Sequence, residues 1–315
     1  MGDVYVDYVN GLDTNDGSSS DNAVKTIGKA LDLVADDGTI YIASKVNYLD
    51  DVDVNGLTIS KNIAIVGVGS NAVIDARGTS GIFRVSGKTV NFTNLVFANA
   101  NVASTSSKRG GAIWAESAVL NIDGCKFINN TAGRSNSYGG AINIKAASTA
   151  TITDSYFENN TAWYGGGAIN TETGTDKLNI QDSVFTNNGL LNSGWSSGGA
   201  VSGYGTFVVD RSLFYGNYLV DKTRNGATFN LYSGTLTITN SALLDGENSK
   251  NAVYSQTASN ANVENNWWGN TAIISDSNVW PLYGEFASYS LTTSGFDVIH
   301  YDCKTLITLP FLQAL

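Results

Sequence analysis

Seven times between Val90 and Asn270 the same ten-residue phrase returns, at spacings of 25 to 30 residues, and a chain written this way has few folds open to it. The phrases open at Val90, Leu120, Ala150, Leu178, Phe207, Leu236 and Ala261. Their third position is always apolar: Phe92, Ile122, Ile152, Ile180, Val209, Ile238 and Val263. Their eighth reads Phe97, Phe127, Phe157, Phe185, Phe214, Leu243 and Trp268. Three residues on come Ala100, Asn130, Asn160, Asn188, Asn217 and Gly246, and Asn270 closes the series. A second phrase, Gly-Gly-Ala-aliphatic, lies between them at 110–113, 139–142, 166–169 and 198–201, then degrades to Asn225-Gly226-Ala227-Thr228. A unit this short cannot bury its own apolar face, so successive units must stack and share one core.

Within each phrase apolar and polar residues alternate, as in Leu120-Asn121-Ile122-Asp123, the period of a strand with one buried face. A propeller blade wants about 40 residues and four strands. The shorter unit predicts an all-β fold, a right-handed parallel β-helix of 9–10 rungs with an N-terminal capping helix. In such a coil equivalent positions stack about 4.8 Å apart. Phe97, Phe127, Phe157, Phe185 and Phe214 then become an interior aromatic file, and Asn130, Asn160, Asn188 and Asn217 a hydrogen-bonded ladder at a corner. Asn also tolerates the left-handed backbone that a sharp corner needs. Val24 to Ala35 places Ile27, Ala30, Leu31 and Val34 on one helical face, which predicts a lid over the first rung. The expected organisation is a cap over 1–45, the helix over 46–270 and a C-terminal cap or linker over 271–315, all one continuous body.

Pro occurs only at Pro281 and Pro310, which suits a dense sheet before them. A net charge of −10 with no Lys/Arg cluster argues against nucleic acid and anionic membrane as partners. No apolar run is long enough to span a bilayer, and no export signal opens the chain. The start at Met1-Gly2-Asp3 reads as a segment of a larger protein. Cys125 and Cys303 have no metal or disulfide spacing, and Cys125 shares a column with Ser155, Ser183, Ser212 and Ser241, so a small buried side chain is expected there.

Many coils of this shape cleave acidic polysaccharides, and that chemistry needs an Arg or Lys beside carboxylates, or a pair of acids at a set separation. The sole histidine, His300, lies outside the repeats. Asp154 and Asp182 fall in a column with Asn94, Asn240 and Asn265, and Asp123 and Asp210 in its neighbour, all expected at corners. The Asp50, Asp51, Asp53 run offers either a set of Ca²⁺ ligands or simply a solvated loop. Asp13, Asn15 and Asp16 lack the spaced acids and closing Glu of an EF-hand. Arg84 or Arg109 with the Asp50–Asp53 loop is the candidate catalytic set. Aromatic placement says more. Tyr138, Trp163, Tyr164 and Trp195 precede successive Gly-Gly corners, where flat rings in a row suit the apolar faces of a long glycan or cover exposed core edges. Trp114, Tyr204, Tyr215 and Tyr218 are candidates to flank them. The sequons at Asn91, Asn129 and Asn159 are explained first by repeat position.

Gly-Gly-Ala-Ile with Phe-x-x-Asn resembles the repeat of the polymorphic outer-membrane proteins. Asn265-Asn266-Trp267-Trp268-Gly269, with Ile63-Ala64-Ile65-Val66-Gly67 and Ile74-Asp75-Ala76, is similar to the adhesin-like proteins of methanogenic archaea. Tyr5-Val6, Asp16-Gly17, Lys25-Thr26-Ile27 and Ala30-Leu31 resemble the N-terminal cap of pectate-lyase-like β-helices. The resemblance covers about residues 3–270 and carries no catalytic residue over. It implies an exported, non-catalytic cell-surface protein whose partner is a glycan or protein on another cell. Polysaccharide lyase or hydrolase, and structural stalk, stand as the alternatives.

Overall fold

Short alternating segments between Gly- and Asn-rich corners form parallel strands, and their registers give the stacking order. The computed structural model describes residues 1–49, 52–69, 72–102, 110–133, 136–194, 198–245, 251–255, 261–263 and 266–267. One wall stacks Asp3–Val6, Gly38–Ile42, Ile63–Gly67, Thr89–Thr93, Val119–Asp123, Thr149–Thr153 and Lys177–Gln181, then the second halves of Val201–Asp210 and Asn225–Thr239, then Ala261–Asn262. A second wall runs from Val46–Tyr48 through Lys126–Ile128 to Ala242–Leu243. A third runs from Leu57–Ile59 through Phe83–Ser86, Ile113–Glu116, Ile142–Lys145 and Ile169–Thr171 to Asn251–Ser255. Every pairing is parallel, and the chain is a right-handed parallel β-helix.

Stacking puts like on like. Phe97, Phe127, Phe157, Phe185 and Phe214 lie in one file with ring centroids 4.5, 4.7, 4.4 and 4.9 Å apart, near the spacing of the strands that carry them. Phe92 and Phe229 close the file edge-on at its two ends. The Asn ladder forms as expected. Asn130 donates its backbone N–H and its Nδ2 to Asn160 Oδ1 at 3.1 and 2.9 Å, and the pattern repeats from Asn160 to Asn188 and from Asn188 to Asn217. Each Nδ2 also donates to the phenylalanine carbonyl a rung behind, as Asn160 does to Phe127.

Two details differ from the sequence reading. The next member of the ladder is Asp245 rather than Gly246, because that rung is one residue shorter between Leu243 and the corner; Asp245 accepts from Asn217 N and Nδ2, each at 2.9 Å. The left-handed backbone falls one residue before the ladder, at Asn99, Asn129, Asn159, Asn187 and Gly216, so the ladder amides are free to point inward. At the other corner Asn94, Asp154, Asp182 and Asn240 do take positive φ, together with Gly124 and Arg211. Cys125 is fully buried, its N–H donating to Ser155 Oγ, and burial pushes its thiol up to about 12.

The helix Ile27–Leu33 is capped at its start by Thr26 Oγ1, which accepts from Lys29 N. It buries Ile27 and Ala30 against the same core as Val4 and Ile40. Lys61 Nζ caps its other end, donating to the carbonyls of Leu31, Asp32 and Val34, where the helix dipole is negative. The sheet, however, begins well before residue 46. Gly38–Ile42 pairs with both Asp3–Val6 and Ile63–Gly67, so the lid helix lies between the first two rungs. The expected unit over 271–315 lies outside the described residues. No helix among the described residues is long and apolar enough to cross a membrane.

Candidate functional site

The outward face of the third wall gathers chemistry. Ile113 and Ala115 point into the core, so Trp114 and Glu116 point out, and the same alternation holds on each rung above. Registers align Arg84, Trp114, Asn143, Asn170, Ser202 and Asn230 in one column. Beside it run Glu116 and Lys145, then Glu172, Tyr204 and Tyr232, each one residue beyond the inward Thr171, Gly203 and Leu231.

From Trp114 onward the first column is buried although it faces outward, and the Gly-Gly corners fold across it at Asn143, Asn170, Ser202 and Asn230. Gly139 takes φ +66°, and a Cβ there would sit 3.1 Å from Asn143 Cβ. Gly140 answers a different need, since a Cβ would collide with the Gly167 carbonyl of the next rung. Beneath this cover the amides form a relay. Ser202 Oγ donates to Asn170 Oδ1 at 2.8 Å, Asn170 Nδ2 to Asn143 Oδ1 at 2.8 Å, and Asn143 Nδ2 to Glu172 Oε1 at 2.5 Å. The relay ends on a carboxylate at the surface and fixes its position.

Above Glu172 the wall changes shape. Gly203 pairs with Leu231 but Tyr204 with Ser233, so Tyr232 is the extra residue of a bulge. The bulge brings Tyr232 beside Tyr204, ring centroids 5.1 Å apart and 30° from parallel. Thr171 Oγ1 pins the bend, donating to the Tyr204 carbonyl and accepting from its N–H. Tyr138 arrives from the loop before Gly139, backed by Tyr164 at 5.9 Å. Together Tyr138, Asn170, Thr171, Glu172, Tyr204 and Tyr232 line a cleft of about 330 Å³. Burial pushes the Tyr138 hydroxyl above the ordinary phenol range, and Tyr232, Tyr164, Glu172 and Tyr204 add to the shift, so this phenol stays protonated and can donate.

The expected ligand residues therefore separate. Tyr138 lines the cleft and Tyr164 supports it. Trp163 is half-buried past the short strand Thr161–Ala162, its backbone N–H donating to the Ala132 carbonyl, and it is not among the cleft's described lining residues. Trp195 lies outside the described residues. Of the flanking aromatics, Tyr204 joins the cleft, Tyr215 is exposed on the second wall, and Tyr218 packs on Gly189. Trp114 is buried between two cations, Arg84 at 4.7 Å and Lys145 at 4.9 Å. Tyr232 and Glu172 escaped the sequence reading, which scored aromatics by distance from Gly-Gly. The signal was a tyrosine just ahead of a glycine on two successive rungs, Tyr204-Gly205 and Tyr232-Ser233-Gly234.

Of the expected catalytic set, only Asp53 and Arg84 fall among the described residues. Asp50, Asp51 and Arg109 lie outside the described residues. Asp53 accepts from Asn55 N and Nδ2, and Arg84 lies over Trp114. Asp13 is occupied by Lys25 N, Thr26 N and the Thr26 hydroxyl, and Asp16 by Ser18 N and Asn22, so both order the loop before the lid helix instead of forming a cation loop. The corner acids are engaged too. Arg211 forks onto Asp182 at 2.8 and 2.7 Å and reaches Asp210, while burial and its neighbours Asp182 and Asp123 push Asp154 upward. Among the described residues no group of three His, Cys, Asp or Glu is placed to hold a metal ion.

No family model and no curated protein matches this chain. Among solved structures, a rhamnogalacturonan lyase is similar over 84% of this chain and 87% of its own, at 12% identity and a TM-score of 0.38. A likeness of that size says nothing about chemistry.

Proposed function

We propose that this protein is a carbohydrate-binding, adhesin-like β-helix domain that holds a glycan on the outward face of its third wall. The observation that carries the reading is the tyrosine cleft: Tyr204 and Tyr232 side by side, Tyr138 lining the same cleft, and Glu172, Asn170 and Thr171 at hand. Rings of this kind meet the apolar faces of sugars, and carboxylate and amide oxygens accept from hydroxyls. The sequence phrases shared with adhesin-like proteins support a place on the cell surface, within a larger protein and facing a glycan or protein of another cell. A glycan array probed with the parent chain and with Tyr204→Ala and Tyr232→Ala tests it. Binding by the parent, lost in both variants at unchanged fold, is the expected result. Equal binding by all three would move the site elsewhere.

A polysaccharide lyase or hydrolase is the second reading, favoured by one observation: a protonated phenol, Tyr138, and a carboxylate, Glu172, share the cleft. A screen for unsaturated or reducing-end products separates the two, since turnover abolished by Glu172→Gln would promote the enzyme.

A further inference from the structure

The described lining of the cleft joins three electron-rich rings to a single charge, the carboxylate of Glu172. A phenol ring is negative on its face and attracts a cation placed over it. This chain already uses that contact elsewhere: Lys25 lies 5.0 Å from the Tyr8 ring centre, and the Arg77 guanidinium 3.9 Å from that of Tyr48. Lys145, on the rung beside Glu172, is turned away from it. Its Nζ reaches Glu116 at 3.2 Å and lies over Trp114. Glu172 is thus left with the hydrogen bond from Asn143 and, among the described residues, no ion pair.

We infer that the cleft takes a glycan carrying a protonated amine, with the ammonium group beside Glu172 and the sugar ring against Tyr204 and Tyr232. This rests on the carbohydrate-binding reading and narrows it to cationic amino sugars. An ammonium group there has the carboxylate for a hydrogen-bonded counter-ion and the tyrosine faces for company. A uronate or sulfated unit meets a like charge at the same point, within a chain of net charge −10, so the cleft discriminates by repulsion as well as by attraction. The Tyr138 hydroxyl, held protonated, remains a donor for a ring hydroxyl and does not compete for the amine.

The test titrates three oligosaccharides of matched length, of glucosamine, of N-acetylglucosamine and of galacturonate, with the glucosamine amine protonated. The proteins are the parent chain, Glu172→Gln and Tyr204→Ala. The glucosamine oligomer is expected to bind about tenfold more tightly than its acetylated counterpart, and the galacturonate most weakly. Glu172→Gln keeps an oxygen for Asn143 Nδ2, so it should melt like the parent while losing that tenfold preference. Tyr204→Ala should weaken both amino sugars, the glucosamine oligomer somewhat more because it also loses a ring face for its ammonium group. Acetylated or uronate oligomers binding as tightly as the amine, or a preference that survives Glu172→Gln, would overturn the inference and leave glycan binding standing. Failure of the parent to bind any of the three would overturn the inference, and a blank glycan array would overturn the binding reading beneath it.

Discussion

Two columns of polar side chains run along this coil, and they are built on opposite rules. In the ladder, Asn130, Asn160, Asn188 and Asn217 repeat one residue at one position, and each amide spends its hydrogens on the next rung and on a phenylalanine carbonyl. In the third-wall column the residue changes at every rung except Asn143 and Asn170, and the relay leads outward to Glu172. At the far end of that column Asn230 is fully buried, and among the described residues neither its oxygen nor its nitrogen is partnered. Repetition marks the part that holds the rungs together. Variety marks the column that leads out to the cleft, and its far end tolerates a buried polar group left unsatisfied.

Asn160→Leu should have the largest effect. It strips the acceptor from Asn130 N and Nδ2 and leaves the Phe127 carbonyl and Asn188 Oδ1 short of a donor, all of them buried. A loss of roughly 3–5 kcal/mol is expected, read as a melting temperature lower by on the order of 10 °C.

Asp245→Asn asks what happens when the ladder ends on an acid. Burial pushes the Asp245 carboxyl up from 3.8 to about 6, while hydrogen bonds from Thr228 and Asn217 hold it from rising further. Its folded pKa lies above its unfolded one, so its contribution is complete below about pH 4 and is lost as pH rises through 6. An amide removes the ionisation and restores the ladder's own residue. The variant should gain on the order of 2–3 kcal/mol over the parent at neutral pH and nothing near pH 3.5, measured as two pH-stability profiles.

Asn230→Leu makes the same change in the other column and should reverse the sign. Removing two unpartnered buried atoms is expected to stabilise by roughly 1–2 kcal/mol in chemical denaturation. Smallest is Tyr204→Ala, whose ring is 39% exposed: a stability change under about 1 kcal/mol in thermal melts, against a marked loss of glycan binding.

The same contrast decides what the sequence could disclose. Phe97 to Phe214 and Asn130 to Asn217 were legible because stacking demands identity, and identity at fixed spacing is visible in a string of letters. The ladder slipped only at Asp245, where one residue fewer in the rung moved the partner off the alignment. The lid helix was legible from its apolar face, but the strand before it, Asp3–Val6, is a single rung with no repeat phrase to announce it. The cleft was half legible. Tyr138 and Tyr164 stand out beside Gly-Gly, whereas Tyr232 reaches the cleft through a bulge, a shift of register between Gly203 and Tyr204 that depends on the neighbouring strand. Glu172 is one acid among many until the amide relay shows which way it faces.

Equilibrium unfolding of Asn160→Leu and Asn230→Leu beside the parent chain, under one set of conditions, is the most direct trial of this division of labour. The expected outcome is opposite signs, the ladder variant several kcal/mol less stable and the third-wall variant slightly more so. Two losses of similar size would contradict it, for the two columns would then serve the fold equally.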